Sequence, residues 1–119
     1  AADLPARAAY IEMQSPIYPA GAEEIEFAVV NELQDTLPVV MAPMLERAAQ
    51  GGWEKLRVEG GFCGTPDPVP PGGRYESSLP MGFLYPDIEE GIYRMTLAAY
   101  DEDGASFPLC AVFEIGAKP

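Results

Sequence analysis

Two cysteines, Cys63 and Cys110, one tryptophan, Trp53, nineteen acids and no histidine bound the chemistry open to this chain. Without histidine, the common nucleophile–histidine–acid triads are excluded. Two cysteines fall short of the four ligands that structural zinc takes. No glycine-rich stretch is followed by Lys-Ser or Lys-Thr, so there is no phosphate-cradling loop. Asp101-Glu102-Asp103-Gly104, with Glu89-Glu90, offers clustered oxygens for a hard cation, but the twelve-residue loop closed by a glutamate is missing. We read this run as a solvated hairpin tip. Some pair of carboxylates always exists among nineteen acids, yet a small sandwich has little room to line a cleft around one. The expectation is therefore no enzyme, no metal and no cofactor.

The cysteines leave two readings open. A Cys63–Cys110 disulfide would contribute about 3–4 kcal/mol in the chain-entropy model. The alternative is two separate buried thiols. The bridge would not be the inter-sheet bond of antibody domains, because neither cysteine stands two residues after Tyr93. Trp53 is read as a core residue; the alternative is an exposed anchor for carbohydrate or a partner surface.

The elements that must position these residues are strands. From Gly91 to Tyr100, Tyr93, Met95, Leu97 and Ala99 alternate with Ile92, Arg94, Thr96 and Ala98, the period of a strand with one face on a core. Gly91-Ile92-Tyr93 entering it has the form of a tyrosine corner, with the phenol packed inside and its hydroxyl tied to the preceding loop. Glu24 to Asn31 alternates in the same way, with Ile25, Phe27 and Val29 inward. Strands are also predicted over 8–14, 36–41, 53–58, 74–79 and 106–115. Pro38 marks its strand as an edge or a bulge. Segment 43–50 has good helix formers and equally fits a strand hairpinned onto Trp53. Residues 15–21 and 60–73 are read as a turn and a loop, because their prolines and glycines break a sheet. A helical turn is expected near Phe83 to Tyr85. The pattern predicts an all-β fold: an immunoglobulin-like sandwich of seven or eight antiparallel strands in Greek-key order, with a loose linker over 1–8 and one domain over 9–119.

The formal charge is −12. That argues against nucleic acid, whose binding rests on Lys and Arg, and against an anionic membrane surface. No apolar run is long enough for a transmembrane helix. The chain begins Ala1-Ala2-Asp3 without a methionine, as one whose signal sequence has been removed would. An acidic chain with two cysteines fits an exported protein without requiring one.

Several ordered motifs resemble a bacterial immunoglobulin-like domain family of secreted proteins and lipoproteins in Gram-positive gut and soil bacteria. They are Tyr18-Pro19-Ala20-Gly21 before a strand ending at Asn31, Leu45-Glu46-Arg47 before Gly51-Gly52-Trp53, Pro71-Gly72 before Tyr75, Gly91-Ile92-Tyr93-Arg94, and Ala111-Val112-Phe113-Glu114-Ile115. The match spans roughly Ile11 to Ile115. It departs at Val39 to Pro43, where an aromatic-rich stretch is usual, and the cysteines are not part of the pattern. The resemblance implies that 45–49 is a strand of a β-hairpin. It also implies an extracytoplasmic accessory module with no catalytic residue, which touches a protein or cell-wall component or spaces another domain. A second reading is an inhibitor or ligand-binding protein acting through loops 60–73 and 83–90.

Overall fold

The computed structural model describes residues 9–56 and 65–116. The chain order is β1 (Ala9–Met13), β2 (Ile17–Pro19), β3 (Glu24–Asn31), β4 (Leu37–Ala49), β5 (Gly52–Lys55), β6 (Pro66–Val69), β7 (Arg74–Pro80), α1 (Met81–Leu84), β8 (Gly91–Tyr100) and β9 (Ser106–Gly116). One sheet has three strands, in the order β1-β3-β7. The other has six, in the order β2-β9-β8-β4-β5, with β6 also on β4. The architecture is an immunoglobulin-like β-sandwich. The expected linker over 1–8 lies outside the described residues, as does Cys63.

The alternating residues read from the sequence meet between the sheets. Ile25, Phe27 and Val29 of β3 and Leu79 of β7 face Leu45 of β4, Tyr93, Met95 and Leu97 of β8, and Phe113 and Ile115 of β9, all buried. Each such side chain contributes about 1.5–3 kcal/mol when fully buried. Phe113 is the aromatic centre: Tyr93 stacks on it at 6.0 Å and Tyr18 meets it edge-on at 5.9 Å. Met81, Leu84 and Tyr85 of the short helix and its exit are buried too.

Two elements correct the sequence reading. Residues 15–21 were expected to be a turn, but Ile17–Pro19 pairs in parallel with Glu114–Gly116. The bonds flanking it run from Glu114 N–H to the Pro16 carbonyl and from Ala20 N–H to the Gly116 carbonyl, so neither needs a proline donor. Within the loop read over 60–73, Pro66–Val69 pairs with Leu37–Val40. Its prolines sit on the exposed parity while Val69 is buried. Short edge strands of this kind tolerate proline because one side of the backbone needs no partner.

Strand β4 settles two open points. It is no edge, since it lies between β8 and the pair β5 and β6. The irregularity expected around Pro38 appears as a register shift between Val40 and Met44. Segment 45–49 is strand, hairpinned to β5 with Ala48 opposite Trp53. Gly51, at φ 92°, makes the reversal.

Candidate functional site

Tyr93 is buried, and its hydroxyl donates to the Glu89 carbonyl in the loop before β8. Gly91 starts the strand at φ 154°. A Cβ there would lie 2.9 Å from Nε of Arg47. The glycine therefore makes room for the guanidinium, which donates to the Glu90 carbonyl at 2.8 Å and pairs with the Glu89 carboxylate at 3.3 Å. These contacts hold the loop that precedes β8. Burial pushes the Tyr93 phenol above its ordinary value, against the pull of nearby Arg47.

Trp53 is not in the core. It is 36% exposed on β5, which is solvated along its length. The β4–β5 hairpin forms the edge of the six-stranded sheet. The indole lies under the Arg94 guanidinium, 4.7 Å from the ring centroid. Arg94 in turn directs Nε and an Nη onto one oxygen of Glu46, at 2.8 and 2.6 Å. Around this triad the outer face of the sheet exposes Ile17, Met44, Ile92 and Val112. Register sets Arg94 between Glu46 and Val112, and Ile92 beside Glu114. Sequence alone singled out only Trp53 here. The outward parity of Ile92 and Val112 was the signal available for the rest.

Cys110 is exposed on the outward parity of β9, with Sγ 3.6 Å from Oγ1 of Thr96. The Cys63–Cys110 bridge falls outside the described residues. The acidic runs do not converge. Glu89-Glu90 and Asp101 to Asp103 lie at opposite ends of β8, ten residues long, or roughly 30 Å apart at about 3.3 Å per residue. Oδ1 of Asp101 accepts from the N–H groups of Asp103 and Ala105, so it holds the hairpin turn. Among the described residues no group of three or more acids or thiols is placed to hold a metal ion.

Sequence reasoning missed two features. Asn31, fully buried at the end of β3, donates to the carbonyls of Asp35 and Val69 at 3.0 and 2.9 Å and accepts from Leu33 N–H at 2.9 Å. It stitches the β3–β4 connection to β6. The second is a groove of about 990 Å³ at the end of the sandwich carrying the β3–β4 and β8–β9 connections. Tyr10, Leu37, Tyr100, Phe107 and Leu109 line it, with the acids Asp35, Asp101 and Glu102. The acid-and-aromatic run Tyr100-Asp101-Glu102 was its only sequence signal.

The two-sheet topology defines the class: an immunoglobulin-like domain. A family model described as bacterial Ig-like domain matches residues 5–108, and the chain belongs to that family. No curated protein matches the chain significantly. Among solved structures it is similar to an X-ray structure of a Northeast Structural Genomics Consortium target, with 18% identity, 98% of this chain and 91% of that chain covered, and a TM-score of 0.50. An ApaA-assigned protein from Bordetella pertussis aligns at 19% identity over 93% of this chain and 90% of its own, with a TM-score of 0.47. The periplasmic chaperone SfaE aligns at 17% identity over 92% of this chain and 57% of its own, with a TM-score of 0.48. At 18% identity the likeness to the first of these concerns the fold alone. No helix among the described residues is long and apolar enough to cross a membrane.

Proposed function

We propose that this chain is a non-catalytic, extracytoplasmic module that contacts a protein or cell-wall component through the outer face of its six-stranded sheet. The observation that carries this is Trp53, stacked on Arg94 and exposed beside Ile92, Val112 and Met44. Aromatic and arginine side chains dominate the energetics of contact surfaces. Arg94 and Glu46 already neutralise each other, so that pair brings no net charge to the contact.

Trp53 is the one tryptophan of the chain, and its fluorescence reports on this face alone. The test is a fluorescence titration against peptidoglycan fragments, glycans and envelope proteins. A saturable change in emission that is lost in Val112→Lys and Ile92→Lys variants of unchanged circular dichroism is the expected result. No response to any ligand would remove the contact role and leave that of a spacer.

A second reading has one observation in its favour. Phe83 projects from the short helix with 66% of its surface exposed, the apolar tip that an inserting loop over 83–90 would need. If binding survives the Val112 and Ile92 changes but is lost in Phe83→Ser, the loop is the contact surface instead.

A further inference from the structure

We infer that the groove at the β3–β4 and β8–β9 end takes an extended, basic segment of a partner protein. This inference concerns the groove and the adjoining edge of β9, which meets the sheet face above only at Val112, and it is tested separately from that reading.

Three observations point to that occupant. The first is the lining. Tyr10, Tyr100 and Phe107 are half-buried, while Leu37 and Leu109 form a buried floor. Aromatic rings accept the apolar stem of a lysine or arginine and attract its charged head through their faces.

The second is charge. Asp35, Asp101 and Glu102 are exposed at the groove, and none of its lining residues among the described ones is basic. The outer face of the three-stranded sheet differs in this respect. There Arg74 already pairs with Glu12 at 2.6 Å and with Glu76 at 3.3 Å. Among the described residues the acids of the groove have no such basic neighbour in its lining, and the turn uses only Oδ1 of Asp101. In a chain of formal charge −12, a basic ligand is drawn toward this end.

The third is backbone. On the side away from β8, the ladder neighbour of β9 is β2, which reaches only Glu114–Gly116. Glu114 N–H points to that side, toward Pro16, so by the two-residue alternation of a strand Val112, Cys110 and Pro108 do too. Among the described residues, no strand is hydrogen-bonded to that edge of β9 from Ser106 to Phe113; β1 of the other sheet packs alongside it and forms the inner wall of the groove. Val112 and Cys110 there offer a donor and an acceptor each, and Pro108 an acceptor only. A short extended segment can add to this edge and send alternate side chains into the groove. A compact small molecule would leave both the edge and much of the volume unused.

The test is an amide-shift NMR titration of the whole chain with acetyl-Lys-Val-Lys-Val-Lys-amide, beside the matching glutamine and glutamate peptides. Saturable shifts at Tyr100, Phe107, Leu109 and Cys110 with the lysine peptide only are the expected result. An Asp35→Asn, Glu102→Gln double variant weakens binding about fivefold. A Glu12→Gln, Glu26→Gln variant on the other sheet leaves it unchanged. Equal binding of the glutamine peptide, shifts centred on Glu12, Glu26 and Glu76, or no saturable shift would each overturn the proposal. The Trp53 emission separates the two readings, since this groove lies away from that indole.

Discussion

The two outer faces of the sandwich each carry an arginine among glutamates, and the two arginines sit in different surroundings. On the three-stranded sheet, the side chains of Arg74, Glu12 and Glu76 are 49%, 47% and 76% exposed. On the six-stranded sheet, those of Arg94 and Glu46 are 30% and 18% exposed, and Trp53 covers the guanidinium. Water screens the first set and competes for it, whereas the second is shielded by its own neighbours. A polar face that mainly solvates and an apolar face built round one neutralised pair result from the same residue types. What separates them is what lies beside the pair: β5, next to Glu46 on β4, adds an indole to one face, while Ser78 is the outward neighbour of Glu76 on the other.

The strongest way to break this contrast is to disturb what joins its two sides. Asn31 belongs to the three-stranded sheet but bonds to the Val69 carbonyl on β6 of the other. Asn31→Ala leaves buried carbonyls without a donor, at about 1–3 kcal/mol for each such group. We expect a loss of about 2–4 kcal/mol in urea unfolding. A change below about 0.5 kcal/mol would mean that water replaces the amide.

Alkaline pH tests the interior next. Burial raises both Tyr85 and Tyr93 above the ordinary tyrosine value. Below pH of about 10 these phenols are neutral whether the chain is folded or not, so they give stability no pH dependence there. Above it the unfolded chain releases their protons while the folded chain holds them. Stability then falls as pH rises toward the folded values. Phenolate absorbance should therefore grow in two parts, with the share of Tyr85 and Tyr93 appearing only as circular dichroism is lost. Full ionisation with the fold intact would contradict this.

The smallest effects compare the faces directly. Arg94→Ala removes a half-buried pair and a cation–π contact, for an expected loss of about 1–2 kcal/mol together with a shift in Trp53 emission. Arg74→Ala should leave the urea midpoint almost unchanged, because its pairs are screened by water. Equal losses from the two changes would erase the distinction between the faces.

Much of the frame was legible in the chain. Strands β3 and β8 have the bounds that alternation predicts, because one face of each packs on the core and the other does not. The helix-or-strand question at 45–49 was beyond local propensity, since Met44-Leu45-Glu46-Arg47-Ala48 suits either. Pairing with β8 on one side and β5 on the other decided it. Strands β2 and β6 were hidden by their prolines, which signal an end to pairing, yet these strands pair along one edge only. Trp53 was misplaced for a related reason. A large apolar residue in a strand reads as core, whereas register sets Trp53 opposite Ala48, on the outward parity shared by Glu46 and Arg94.

By itself, the sequence determined the all-β class, the inward parity of the long strands, the Tyr93 and Gly91 entry to β8 and the acidic surface. Each of these follows from spacing and residue type within a few positions. Tertiary structure alone decided which outward residues share a face, that Asn31 is a buried tie, and that Tyr10, Leu37, Tyr100 and Phe107 meet at one groove. Those depend on register between strands distant in the chain, and no local pattern encodes which strands become neighbours.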